Sequence, residues 1–159
     1  MLILSCLTAC VGGYSFTGAS VSADVKTFSV ETFINRAPIV QPILASELTY
    51  ALTNKIKSST NLTATDYDGD LAFKGTITGY SVTPTAISSN DQAAKNRLTI
   101  TVKAEFINKK DPKMNFQQSF SRYRDYDSGL SLSDVEESLI NQINEELVED
   151  IFNKALVNW

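Results

Sequence analysis

The chain of 159 residues contains no histidine, and its only two cysteines, Cys6 and Cys10, fall within the first ten positions. The first absence removes the usual general base near neutral pH, the commonest metal ligand, and every Ser–His or Cys–His nucleophile pair. The second leaves the rest of the chain without disulfide or thiol chemistry. A basic excess is also missing. Fourteen Lys and Arg stand against eighteen Asp and Glu, for a net charge of −4, which points away from nucleic acid, whose phosphates need clustered cations. No apolar run beyond the first residues is long enough for a transmembrane helix. Gly12-Gly13 follows no strand and opens no helix, so it is not a phosphate loop. Asp and Glu alone offer no pair at a spacing suited to acid/base work, so neither an enzyme nor a cofactor is expected.

What is present begins with MLILSCLTAC. The segment Leu7-Thr8-Ala9-Cys10 after an apolar run resembles the bacterial lipobox, whose cysteine takes a diacylglycerol before the leader is cut away. Residues 1–9 then read as a truncated signal peptide, since they carry no basic n-region and only a short apolar stretch. We expect that charge upstream of Met1. Three acyl chains on Cys10 hold a protein on a bilayer far more firmly than one, at ~0.8 kcal/mol per buried methylene. Val11 follows the cysteine where an inner-membrane retention signal has Asp, so the expected site is the periplasmic side of the outer membrane. Residues 10–24, rich in Gly and Ser, form a tether in which Tyr14 and Phe16 suit the membrane–water level.

Residues 25–159 read as one α+β domain; 43% hydrophobic and 20% charged residues suffice for a packed core. Val25–Phe33 alternates like a strand, with Phe28 and Val30 on one face. Pro42 suits a first helical residue, and Leu44, Leu48, Leu52 and Ile56 then recur every fourth position, an amphipathic helix. DYDGD at 66–70 is a turn. It lacks the spacing of an EF-hand loop, which needs Gly at position six and Glu at twelve, so no metal is expected. Leu71–Ile87 reads as a long strand in which Gly75 and Gly79 mark a bend, a bulge or a close backbone approach. Thr85–Asn96 is a polar loop. Arg97–Ile107 and Met114–Tyr126 form an antiparallel hairpin, Phe116 and Phe120 pointing inward. Ser133 with Glu136 has the spacing of a capping box, and the helix it opens presents Val135, Leu139, Ile143, Leu147 and Ile151. The order β-α-β-β-β-α predicts two helices on one face of a four-stranded mixed sheet, with a parallel first crossover. The opposite face, rich in Thr, Ser, Lys and Tyr, is left to solvent or a polar partner. The carboxylates of the last helix lie mostly opposite its apolar stripe and read as a solvated face.

Two basic groups are candidate anion sites. Lys109, Lys110 and Lys113 crowd the hairpin tip. Arg122 and Arg124 share one face of the last strand, with Lys103 expected opposite them on its neighbour. Guanidinium forks suit the phosphates of a lipid head group, although solubility and edge protection also explain such residues.

Cys10-Val11-Gly12-Gly13-Tyr14-Ser15-Phe16-Thr17-Gly18, then Val25-Lys26-Thr27-Phe28-Ser29-Val30, resembles the start of the LPS-assembly lipoprotein LptE family. Asn35-Arg36-Ala37, Pro42, the Leu44/Leu48 helix and Gly75-Thr76-Ile77-Thr78-Gly79-Tyr80 continue the likeness. The resemblance implies a non-enzymatic plug and assembly partner of an LptD-type outer-membrane β-barrel, in contact with lipopolysaccharide. Two other readings fit the residues alone: a freestanding periplasmic lipid- or glycan-binding lipoprotein, and a pilot lipoprotein for another secretion barrel.

Overall fold

The computed structural model describes residues 21–85 and 94–157. Cys10, Tyr14, Phe16 and the rest of residues 1–20 therefore lie outside the described part, as do 86–93. Strands β1 (Thr27–Val30), β2 (Ile34–Asn35), β3 (Thr63–Ala64), β4 (Leu71–Pro84), β5 (Lys95–Asn108) and β6 (Phe116–Asp127) form one mixed sheet in the order β3-β1-β4-β5-β6, with β2 also on β4. Helices α1 (Leu44–Ser59) and α2 (Leu132–Leu156) pack against the sheet. The α+β class and the parallel β1–β4 pairing agree with the sequence; six strands replace the expected four.

The two extra strands have local causes. Val30 lies opposite Phe73 and Ile34 opposite Thr76, so four residues on one strand span three on β4. The surplus is taken up at 31–33: the Phe33 N–H leaves the sheet and donates to Thr49 Oγ1 of α1 at 3.0 Å. The expected Val25–Phe33 strand is thereby shortened to β1, and β2 begins just past its expected end. The third piece, β3, forms because Thr63 N–H donates to Lys26 carbonyl oxygen at 2.9 Å as the chain leaves α1.

The helical stripe is as the spacing predicts. Leu44, Leu48, Leu52 and Ile56 have no exposed surface, and each such burial stabilises the fold by about 1.5–3 kcal/mol. The helix begins two residues after Pro42, and its N-cap, Ile43, makes no side-chain capping bond, where Ser or Asp would contribute about 1 kcal/mol.

Both glycines of β4 have identifiable work. A Cβ on Gly75 would lie 2.5 Å from Phe33 Cε1 and 2.8 Å from the Lys103 carbonyl oxygen, so only glycine lets Phe33 lie across β4. Near Gly79 the ladder shifts: Ile77 faces Val102 and Gly79 faces Thr101, leaving Thr78 as a bulge. That extra residue changes which parity points inward, from Leu71, Phe73 and Ile77 to Tyr80.

Strand β6 pairs in register with β5 over its full length. Leu98, Ile100, Val102, Ala104 and Phe106 enter the core, and Phe73, Phe106, Phe116 and Phe120 form a stepped row with centroids 4.9, 5.5 and 6.3 Å apart. Helix α2 departs from the expected start. Leu132 is already helical and Ser131 is the N-cap, so Ser133 is too far inside to cap. Its hydroxyl lies 2.7 Å from Ser131 Oγ, and Glu136 instead accepts a hydrogen bond from the Tyr80 hydroxyl.

Candidate functional site

The hairpin tip and the DYDGD turn meet at one end of the sheet. Asp68 turns the chain with φ 61°, a left-handed conformation that Asp tolerates. The Lys109 ammonium donates to its carboxylate at 2.6 Å and to its carbonyl at 2.9 Å. Lys110 lies 3.3 Å from Asp70 Oδ1. The other Asp70 oxygen accepts from the backbone N–H groups of Lys26 (2.9 Å) and Thr27 (3.1 Å) and from the Thr27 hydroxyl (3.1 Å). These donors, the two backbone N–H groups foremost, hold the Asp70 carboxyl far below the ordinary carboxylate range. The turn is thus an electrostatic latch joining β1, β4 and the β5–β6 tip. Lys113 makes no ion pair among the described residues. Beside the tip is a cavity of about 480 Å³ with Leu71, Met114 and Leu156 in its wall and Lys110 and Asp111 at its rim.

The arginines of β6 are placed differently. Even-numbered β6 residues face the helices, so Arg122 and Arg124 meet α2. Arg122 grips Asp150 with two bonds of 2.6 Å; Arg124 donates to Glu146 at 2.6 Å and to Gln142 at 3.2 Å. The hydrogen bond to Asp150 raises the affinity of Arg122 for its proton, and that to Glu146 does the same for Arg124, while Arg124 lowers the Glu146 carboxyl. Lys55 of α1 likewise reaches Glu149 at 2.5 Å. The α2 carboxylates expected to be solvated therefore include four with partners: Glu136, Glu146, Glu149 and Asp150. Lys103 does not join the arginines. It lies opposite Ser119 on the other face of the sheet, whereas Arg122 lies opposite Ile100.

That other face carries no helix among the described residues. Across β4, β5 and β6 it presents Lys74, Thr76, Ser81, Thr83, Arg97, Thr99, Thr101, Lys103, Glu105, Ser119, Ser121 and Tyr123, none of them buried. At ~3.3 Å per residue β5 gives it a length of about 45 Å. Arg97 holds Asp125 through bonds of 2.7 and 2.9 Å and stacks on the Tyr123 ring, 3.6 Å from its centroid. The hydrogen bond from Arg97 lowers the Asp125 carboxyl and raises Arg97 itself. Lys74 lies 3.1 Å from Glu105, and Lys103 makes no ion pair among the described residues. Sequence reasoning missed Arg97 and misplaced Lys103; the alternation of β5 contained the signal, since both are out of phase with Leu98 and Val102. The surface is hydroxyl-lined and close to neutral, suited to broad polar contact rather than to chemistry at one atom.

Solved structures share this architecture. The rare lipoprotein B from Shewanella oneidensis superposes with a TM-score of 0.52 at 15% identity, covering 80% of this chain and 92% of that one. The uncharacterized lipoprotein B from Nitrosomonas europaea gives 0.51 at 13%, covering 80% and 79%. The hypothetical protein CT253 from Chlamydia trachomatis gives 0.56 at 9%, covering 84% and 99%. At such identities these likenesses concern the fold. Curated proteins offer no match to the sequence. The family model described as LptE, Lipopolysaccharide-assembly, matches residues 25–155, from the start of β1 to the last turn of α2, so the chain belongs to the LptE family of lipopolysaccharide-assembly proteins.

Proposed function

We propose that this chain is a lipoprotein anchored through Cys10 to the periplasmic side of the outer membrane, where it plugs and helps assemble an LptD-type β-barrel that carries lipopolysaccharide to the surface. Tyr14 and Phe16 sit at the membrane–water level in this reading. The observation that carries it is the helix-free sheet face. A barrel lumen is polar and must be filled, and a hydroxyl-lined surface about 45 Å long, carrying the pairs Arg97–Asp125 and Lys74–Glu105 beside Lys103, suits such a lumen. The family's lipopolysaccharide-assembly role supports the same assignment. The test is to purify the tagged protein from detergent-solubilised outer membranes. An LptD-type barrel in equal amount is expected, and its absence overturns the proposal.

Lipopolysaccharide contact belongs, in this proposal, to the hairpin tip. Lys109 and Lys110 keep 39% and 46% of their side chains exposed despite their partners, and Lys113 is free to meet a phosphate. Arg122 and Arg124 are occupied by α2 and contribute only if an anion displaces Asp150 or Glu146. Lys113→Glu should weaken binding of the purified protein to lipopolysaccharide at low salt several-fold more than Arg122→Ala. Equal binding by both variants and the wild type would remove the tip as the site.

A further inference from the structure

Among the described residues, the largest concentration of exposed apolar side chains lies in the connection from β2 to α1. Ile39 and Val40 are 59% and 60% exposed, Ile43 45%, and Tyr50 of α1 68%. From Ala37 to Ser46 no residue is charged. The segment is braced. Asn35 Nδ2 donates to the Gln41 carbonyl at 3.1 Å, Ala37 N–H donates to Asn35 Oδ1 at 3.1 Å, and Arg36 N–H donates to the Ile77 carbonyl at 2.9 Å. Ala37 is buried, and Pro38 and Pro42 restrict the backbone further. The N-cap of α1 is given to Ile43, with no capping side chain, although capping residues are strongly preferred there. An aliphatic knob held rigid at the cost of a helix cap has the character of an interaction anchor.

We propose that this knob, Ile39, Val40 and Ile43, docks into an apolar, uncharged pocket of the barrel partner; the identity of that partner rests on the reading above. Three features select a protein that surrounds the domain. The patch covers a few hundred Å², whereas a stable dimer buries about 800 Å² on each partner; alone it is too small for self-association, but it suits the anchor of a larger polar interface. Its basic flank is a single residue, Arg36, short of the Lys- and Arg-rich face with which interfacial segments hold a bilayer. It also sits away from residues 21–26, where the described chain begins. Val21 and Lys26 enter beside the last turn of α1, together with Thr60 and Leu62, whereas the knob precedes the first turn, about 24 Å away at 1.5 Å per residue.

The test uses the full lipidated chain co-expressed with its LptD-type barrel, comparing the wild type with the double variant Ile39→Ser, Val40→Ser. Both positions are exposed, so the melting temperature of the variant should match the wild type within a degree or two, while recovered barrel falls at least tenfold. A folded variant that retains the barrel fully overturns this inference and leaves the barrel reading standing. A wild type that recovers no barrel overturns both. A third arm places an environment-sensitive dye on Ile39→Cys. A blue shift on adding the barrel, but not on adding phosphatidylethanolamine vesicles or on concentrating the chain alone, supports the assignment. A shift with vesicles alone gives the knob to the bilayer, and a shift on concentration gives it to a second copy; either overturns it.

Discussion

Gly75→Ala tests how β2 is seated on the sheet. The added methyl would come within 2.5 Å of the Phe33 ring and 2.8 Å of the Lys103 carbonyl oxygen. The second neighbour is backbone in β5, between two paired strands, and has no room to retreat. Phe33 is only 2% exposed, and its ring is wedged between β4 and α1. Overpacking of this kind costs about 1–3 kcal/mol, a loss of roughly 3–10 °C in melting temperature for a domain of this size. Urea denaturation followed by circular dichroism measures the loss directly, with an unchanged m-value indicating that the denatured state is not involved. Phe33→Leu in the same background separates the two clashes. The smaller side chain relieves the ring contact but not the carbonyl contact, so Gly75→Ala should cost about 1 kcal/mol less there, a coupling that a double-mutant cycle resolves. No loss of stability on Gly75→Ala, or an equal loss with and without Phe33, would refute this account of why glycine stands at 75.

The other predictions concern buried or latched polar groups. Asn144 is 3% exposed and both atoms of its amide lack partners; Asn144→Leu should stabilise the fold by about 1 kcal/mol, read from the urea midpoint. The Asp70 carboxyl is depressed in the folded state, so the unfolded chain takes up its proton first as pH falls. The stability from this latch is complete above about pH 4 and is lost at lower pH; Asp70→Asn should flatten the acid limb of the stability profile measured between pH 5 and 2. Burial, with the bond to Glu136 and its charge, raises the Tyr80 hydroxyl well above the usual tyrosine range. An ultraviolet titration of the folded protein should show a tyrosine that ionises late, and Tyr80→Phe should remove that phase.

The distribution of pairing bears on function. Ion pairs on the helix side, Arg122–Asp150 and Arg124–Glu146, tie α2 to the edge strand β6, but each is partly exposed and contributes at most about 1 kcal/mol. On the helix-free side Arg97 pairs with Asp125 and Lys74 with Glu105 within the sheet, while Lys103 makes no ion pair among the described residues. That pairing keeps the face nearly neutral, and of its hydroxyls Thr101 and Ser121 bond each other at 3.0 Å.

The sequence by itself determined the helices, the long strands and their inward faces. Leu44, Leu48, Leu52 and Ile56 repeat at the period of a helix, and Leu98 to Phe106 alternate at that of a strand, because burial of one face imposes the period on the chain. Family resemblance, carried by local motifs, was equally legible. The tertiary structure decided which groups meet. Period identifies a face but not what lies across from it, so the partners of Glu136, Arg122 and Arg124 on distant elements could not be read. The bulge at Thr78 and the departure of Phe33 from the sheet each displace one residue, and a one-residue shift turns every following side chain to the other face. The exposed knob before α1 was hidden for a related reason: Ile39, Val40 and Ile43 are core-type residues, and only the packed fold reveals that the core has no place for them.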